Sequence, residues 1–324
     1  MSQEPILVAD IGGTHARFGI VEPWENARPH LTRRIDFDSQ DYAGFAAALR
    51  RYVAQAELGT VPRAAAIAAA GPVTAGRVAL TNRQWSISES ELHGLGFVQV
   101  ALINDFAALA YSVETLGPQD VRSIGPEVEG LADSPVSIIG AGTGFGVSCL
   151  VRQGTQSLPL ITEGGHIAFA PIDDQQIRIL EALQRQFGRV SVERILSGPG
   201  LENLYRVYQQ SLGRTAASLS AAELTTRALA GEPECRAILH LFCSIYGSVA
   251  GDIALAHGAR GGVIVGGGIA QRIAPFLLES AFRRQFENKG RLSAYVKAIP
   301  TKLLLDPDAA LRGAARAGLA TWGC

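Results

Sequence analysis

At 324 residues the chain is too long for one ordinary core, and its length suits two domains. Hydrophobic residues make up 47% and charged residues 18%, which excludes wholesale disorder. The formal net charge is -1, and arginine far outnumbers the three lysines Lys289, Lys297 and Lys302. No basic stripe follows from that balance, so nucleic acid is not an expected partner.

The four cysteines Cys149, Cys235, Cys243 and Cys324 form no CxxC pair, a pattern that suits a reducing cytoplasm better than a disulfide-stapled domain. The opening MSQEP has neither a basic n-region nor an apolar h-region, so no signal peptide is expected. The longest apolar helical stretch, residues 237–257, is interrupted by Ser244, Ser248 and Asp252. It reads as a buried core helix rather than a membrane span.

In chain order, residues 6–10 form an apolar run, 11–14 a glycine turn, and 17–22 a segment that alternates Phe18 and Ile20 against Arg17 and Gly19. That period of two marks a strand. Strand, glycine turn, strand is a β-hairpin, whereas a dinucleotide-binding turn or a P-loop leads into a helix. Residues 41–58 place Tyr42, Phe45, Leu49, Tyr52 and Val53 at helical spacing, and 64–70 read as a short buried strand stopped by Gly71 and Pro72. Ser88 and Glu91 stand at capping-box spacing and open a short helix that ends near Gly94. An apolar strand over 98–103 runs into Asn104 and Asp105, then into an alanine-rich helix over 106–116.

A stretch rich in Gly, Pro and acidic residues, 117–135, precedes a second unit that begins in the same way. Residues 136–139 are apolar, Gly140-Ala141-Gly142-Thr143-Gly144-Phe145-Gly146 is a glycine turn, and 147–151 is a strand. Helical patterns follow over 174–187, 191–196, 201–210, 220–230 and 234–257. A strand over 263–265 enters Gly266, Gly267 and Gly268 and a helix over 270–287; a strand over 302–305 and a helix over 309–320 complete the pattern. The expected division is a small α/β domain, 1–116 plus 306–324, and a large one, 117–305.

The first glycine hairpin, Asp10-Ile11-Gly12-Gly13-Thr14, carries recognisable chemistry. Its glycines are expected to take positive φ and bring backbone N–H groups to an anion, with Thr14 as a hydroxyl donor. A carboxylate at the end of the preceding strand suits Mg²⁺, held directly or through water beside phosphates. A single Gly-Gly hairpin is more often an ordinary turn; the second hairpin, with Gly140, Gly142, Thr143 and Gly144 in the same strand context, reverses that and favours the phosphate reading. Gly140 to Gly146 departs from GxGxxG, and the absence of any Gly-Lys dipeptide removes Walker A. The third cluster, Gly266 to Gly268, suits the adenosine of a nucleotide.

Two phosphate hairpins and a third glycine cluster resemble the actin-like ATPase and sugar-kinase superfamily. The resemblance implies a ribonuclease H-like α/β fold with two domains, duplicated βββαβα units around a central cleft. Within that superfamily, ADIGGTHAR at 9–17, INDF at 103–106, GAGTG at 140–144, EGGH at 163–166, VSVERILSG at 190–198 and GVIVGGGI at 262–269 are similar, in order, to the bacterial ATP-dependent glucokinase family. The resemblance implies transfer of the γ-phosphoryl group of ATP to the 6-hydroxyl of glucose, the first step of glycolysis, with Mg²⁺. It also implies a cytoplasmic homodimer whose domains close on the sugar. One position departs from the family, which commonly has Asn where this chain has His15. A neutral imidazole still donates to phosphate, so the change bears on nucleotide affinity and its pH dependence.

A sugar hydroxyl is a poor nucleophile, and a carboxylate within hydrogen-bond reach can orient it and take its proton. Asp105 is assigned that role, with Asn104 helping to hold the sugar; read alone, an Asp at this point is also a helix N-cap. Glu163 and His166 can satisfy adjacent pyranose hydroxyls by accepting and donating. Half of a zinc site is the rival reading, but residues 167–200 supply no cysteine for it. The resemblance adds Glu193 as a hydroxyl ligand, although by itself it reads as a solvated helix carboxylate. Trp85 suits either a loop near the sugar or core packing, while His240, His257, Cys235 and Cys243 read as structural. Competing functions are a kinase for another hexose, a sugar-responsive regulator and an actin-like nucleotide-dependent binding protein.

Overall fold

The computed structural model describes residues 4–24, 28–80, 85–154, 156–215 and 217–323, so residues 81–84 before Trp85 and Cys324 lie outside the described residues. The chain divides into two compact units. Unit 1 is Met1–Asp120, Ser157–Ile161 and Asp306–Cys324; unit 2 is Val121–Gln156 and Thr162–Leu305.

In unit 1, β1 (Ile6–Ile11) and β2 (His15–Glu22) form the first hairpin, and β3 (His30–Asp38) adds to it antiparallel. Helix α1 (Phe45–Gln55) leads to β4 (Ala64–Ala69), parallel to β1. A separate small sheet of β5 (Val73–Thr74), β6 (Arg77–Ala79) and β7 (Ser86–Ser88) precedes α2 (Glu89–Gly94). Ser88 caps α2 by accepting the Glu91 N–H at 3.2 Å. Strand β8 (Gln99–Asn104) pairs parallel with β4 and runs directly into α3 (Asp105–Ser112). The resulting order is β3-β2-β1-β4-β8.

Both faces of β1 are covered, which is why its sequence is a continuous apolar run rather than an alternation. Leu7, Ala9 and Ile11 pack with Phe18, Phe45, Leu49 and Tyr52, whereas Ile6 and Val8 pack with residues of the last helix.

Unit 2 begins with β9 (Val121–Ser123), inside the stretch expected to be a loop, and continues with β10 (Val136–Ala141) and β11 (Phe145–Gln153); β12 (Gln156–Thr162) follows, its middle residues Ser157–Ile161 counted with unit 1. Helices α4 (Asp174–Phe187), α5 (Gly198–Ser211), α6 (Ala221–Leu229) and α7 (Pro233–His257) follow, then β13 (Gly262–Gly266). The expected helix over 270–287 is broken into α8 (Gly268–Arg272), α9 (Ala274–Glu279) and α10 (Phe282–Glu287). Pro275 fits only the first turn of a helix, and Ser280 is extended, so the helical run restarts twice. The expected helix over 191–196 is one 3₁₀ turn, Val192–Arg194. After α11 (Ser293–Lys297), β14 (Thr301–Leu304) completes the sheet order β12-β11-β10-β13-β14-β9. Strand directions repeat those of unit 1: β10 is antiparallel to β11 and parallel to β13, which is parallel to β14.

Helix α7 is long and apolar enough to cross a membrane by length and composition, so its serines and Asp252 do not disqualify it as a span. Burial decides its role. Most of it lies inside the protein, with Phe242, Cys243, Tyr246 and Ala250 fully enclosed in the core of unit 2.

The final helix, α12 (Ala309–Trp322), belongs to unit 1 and crosses α3 at Gly313. A Cβ there would stand 1.8 Å from the Ala108 carbonyl oxygen and 2.9 Å from the Ser112 nitrogen, both backbone atoms that cannot rotate away. Gly313→Ala is therefore expected to cost about 2 kcal/mol or more and to lower the unfolding midpoint by several degrees. Thermal unfolding followed by circular dichroism would test this, and an unchanged midpoint would contradict the close crossing.

Candidate active site

The carboxyl ends of the parallel strands of unit 1 lie level: Ile11 pairs with Ala69, and Ala69 with Asn104. In open α/β sheets, ligands are met at this end. The turn after β1 closes through the Gly12 N–H, which donates to the His15 carbonyl at 2.8 Å. Ser39, fully buried, braces the turn from β3's side: its Oγ donates to the Gly12 carbonyl at 3.2 Å and its N–H to the Thr14 carbonyl at 2.8 Å. Among the described residues, the glycines with positive φ do not include Gly12, Gly13, Gly142 or Gly144. That corrects the expected reason for these glycines; what they contribute is backbone without a side chain at the strand ends.

Asp10 sits one residue before the end of β1, opposite Arg17 on β2, which in turn stands opposite Asp36 on β3. The Arg17 guanidinium donates to Asp10 Oδ2 at 3.1 Å and lies 3.5 Å from Asp36 Oδ2. Burial pushes the Asp10 carboxyl above its ordinary range, and Arg17 only partly offsets that penalty. A second cation beside it would be favourable. Among the described residues no three His, Cys, Asp or Glu side chains form a metal cluster. A single carboxylate at the end of a phosphate-type turn fits Mg²⁺, which keeps water and phosphate oxygens as most of its ligands.

Asn104 is the N-cap of α3. Its Oδ1 accepts the Phe106 and Ala107 N–H groups at 2.9 and 3.2 Å, and its Nδ2 donates to the Gly71 carbonyl at 3.1 Å. Asp105 is thus the first helical residue rather than the cap, half-buried, with its Oδ1 also accepting the Phe106 N–H at 3.0 Å. The aligned N–H dipoles of a helix start favour a carboxylate there. Asn104→Ala should remove the cap at a cost of about 0.5–2 kcal/mol, read as a lower unfolding midpoint.

In unit 2 the second glycine turn is tighter than expected, because β10 extends to Ala141 and β11 starts at Phe145. The Gly142 N–H donates to the Gly144 carbonyl at 2.8 Å, and the Gly142 carbonyl accepts the Gly198 N–H, at the start of α5, at 2.8 Å. Gly140 pairs with Gly266 on the neighbouring β13, so the turn and the third cluster leave the sheet at the same end. Gly267 does need to be glycine: its φ is +85°, and a Cβ would stand 2.4 Å from the Ala141 carbonyl oxygen.

Glu163, Gly164, Gly165 and His166 form a 3₁₀ turn whose glycines lie flat on β11. A Cβ on Gly165 would be 1.9 Å from the Phe145 carbonyl oxygen, and one on Gly164 would be 2.8 Å from Val147 Cβ. Glu163 and His166, on either side, are exposed. The following segment pairs with the Glu193 turn: the Val192 N–H donates to the Ile167 carbonyl at 3.0 Å, and Ala168 bridges to Ser191. Glu193 is half-buried, and its Oε2 accepts the Phe145 N–H at 2.9 Å. It is not the solvated helix carboxylate that its sequence alone suggests. Phe145, which the motifs pass over, therefore touches both the Gly164–Gly165 turn and Glu193 with its backbone.

The profile of the family described as "Glucokinase" matches residues 7–320. A glucokinase of Caulobacter sp. strain K31 is 46% identical over 310 residues, covering 95% of this chain and 93% of that one. The chain belongs to the glucokinase family. Among solved structures, glucokinase from an Antarctic psychrotroph is 39% identical, with a TM-score of 0.86 over 97% of this chain and 98% of that one. A ROK family glucokinase from Streptomyces griseus, in complex with glucose and AMPPNP, shares the fold at 20% identity, with a TM-score of 0.65 over 96% and 98% of the two chains. The mixed α/β architecture is accordingly that of the glucokinase and ROK sugar kinases, the actin-like ATPase fold.

Set against this glucokinase-family fold, the candidate residues fall into two groups. Asp10, Gly12, Gly13, Thr14, Asn104 and Asp105 share one sheet edge in unit 1. Gly140, Gly142, Thr143, Gly144, Glu163, His166, Glu193, Gly266, Gly267 and Gly268 belong to unit 2. His15 is exposed at the start of β2, its Nδ1 3.5 Å from Asp36 Oδ1. Trp85 is buried in the unit 1 core, which favours the packing role. His240 stacks near Phe276 and His257 Nδ1 meets Ser137 Oγ at 2.9 Å; burial lowers the pKa of both rings. Cys149, Cys235 and Cys243 are buried free thiols, pushed up to about 11, 11 and 12 by burial, which suits inert core residues.

Proposed function

We propose that this member of the glucokinase family transfers the γ-phosphoryl group of ATP to the 6-hydroxyl of glucose, releasing glucose 6-phosphate and ADP. The observation that carries the reading is Asp105. It is a carboxylate at the first residue of α3, held in register with the Gly12–Thr14 turn by the level ends of β1, β4 and β8. In the reaction the 6-oxygen forms a bond to the γ-phosphorus, the bond from that phosphorus to the bridging oxygen of ADP breaks, and Asp105 takes the hydroxyl proton.

Asn104 uses one amide hydrogen on Gly71 and has a second for a sugar hydroxyl. Glu163, His166 and Glu193 are assigned the remaining hydroxyls, in keeping with family membership and with the pairing that holds their two segments together in unit 2. Backbone N–H groups at Gly12, Gly13, Gly142 and Gly144, with the Thr14 and Thr143 hydroxyls, are assigned to the phosphates, and Gly266–Gly268 to the adenosine side. Asp10 would hold Mg²⁺ through water, and the ion would neutralise charge on the phosphates.

The repeated strand order supports two duplicated βββαβα-type units, 1–116 plus 306–324 and 117–305. Reducing surroundings, no nucleic acid or membrane partner, and a homodimer complete the proposal. A coupled ADP-release assay over glucose, mannose, fructose and a no-sugar control tests it. Glucose should raise the rate most, and no rise with any hexose would end the kinase reading.

A further inference from the structure

We infer that Glu193 is a positioning residue as well as a sugar ligand: its carboxylate ties occupancy of the sugar site to the order of the phosphate turn Gly142–Gly144. This rests on the sugar-kinase reading and goes beyond it by naming the link. A carboxylate has two oxygens, and in Glu193 one is committed to the turn, accepting the Phe145 N–H at 2.9 Å. The same oxygen lies 2.5 Å from the point where a Cβ on Gly144 would stand, so the turn and the carboxylate are in direct contact at two successive residues.

The backbone that carries Glu193 is itself pinned. Ser197 Oγ donates to the Glu193 carbonyl at 2.7 Å, and the Gly198 N–H donates to the Gly142 carbonyl at 2.8 Å. Residues 193–198 therefore grip the phosphate turn at both of its ends. On the other side, the Phe145 carbonyl packs against Gly165, and its ring meets Tyr246 edge-on at 5.5 Å. Any sugar hydroxyl that orders the second carboxylate oxygen of Glu193 also orders the acceptor that holds Phe145. Binding of sugar and of nucleotide phosphates then share one ordering cost, which makes each tighten the other by the same factor.

Gly144→Ala isolates the link. Gly144 does not take positive φ, and among the described residues, its chain neighbours aside, the atoms within 4 Å of an added Cβ belong to the Glu193 side chain, so the substitution displaces the carboxylate without straining the backbone. Calorimetric titration of AMPPNP with and without glucose should show glucose tightening the analogue by about 5-fold or more in the wild type, and by less than 2-fold in Gly144→Ala. Glucose affinity without nucleotide should also fall in Gly144→Ala. Glu193→Asp, whose carboxylate sits one methylene further back, should make the two substitutions non-additive in a double-mutant cycle. In the wild type, hydrogen exchange at the Phe145 amide should slow on adding glucose alone, a readout that does not depend on any variant folding.

Additive effects and an unchanged Phe145 amide would overturn the link while leaving the kinase reading intact if glucose still drives ADP release. A wild type that neither binds glucose nor releases ADP would remove both.

Discussion

Asp105→Asn is expected to bind glucose within about 3-fold of the wild type while losing roughly 10²–10⁴ in turnover, the range for removal of a general base. A thousandfold loss corresponds to about 4 kcal/mol of transition-state stabilisation. The substitution is close to isosteric, and the helix start does not depend on it, because the Phe106 and Ala107 N–H groups are already held by Asn104 Oδ1 at 2.9 and 3.2 Å. An amide at position 105 can still orient the sugar hydroxyl but cannot take its proton. Turnover from ADP release and glucose affinity from calorimetry must therefore separate. Near-normal turnover would remove Asp105 from the base role, and equal losses in both measurements would make it a binding residue.

What the residues alone revealed was strongest where local pattern and tertiary role agree. The alternation of Phe18 and Ile20 behind Asp10–Thr14 made the first hairpin legible, and its repeat at Gly140–Gly146 made the second one so. Strand β3 was harder to place, because HLTRRIDFD carries charge on both faces and Phe37 is its one buried side chain. Strands of two or three residues, β5 to β7 and β9, are too short to show any period. The helix over 270–287 looked continuous because its apolar spacing persists across Pro275 and Ser280, where the backbone breaks.

At the candidate site, the residue types were legible and their local duties were not. Asn104 and Asp105 stood out together, yet which one caps α3 turns on a single residue of register that sequence spacing cannot fix. The three glycine clusters were visible, but the reason for each differs. Gly267 needs its positive φ, Gly144 yields space to a carboxylate 49 residues away in the chain, and Gly12 has room for a Cβ at ordinary contact distance. Ser39 and Phe145 carried no signal at all, since their work is done by long-range backbone contacts that leave no periodicity behind.

Gly165→Ala is the second substitution with a large expected effect, and its cause is one of those long-range contacts. The added Cβ would meet the Phe145 carbonyl oxygen at 1.9 Å, against an ordinary contact of 3.4 Å or more, and that oxygen belongs to the first residue of β11. Since the strand is fixed in the sheet, the 3₁₀ turn must lift, carrying Glu163 and His166 with it. Misplacement of substrate-positioning groups by about 1 Å costs on the order of 10²-fold. The expected result is a fall of that size or more in kcat/KM for glucose, most of it in KM, with AMPPNP binding in the absence of sugar retained. Gly59→Ala is the matched control: Gly59 is exposed, lacks positive φ and has nothing within 4 Å of an added Cβ, so its kinetics should stay at the wild-type level. Unchanged glucose kinetics in Gly165→Ala would mean that the Glu163 to His166 turn does not hold the sugar where its backbone holds it against β11.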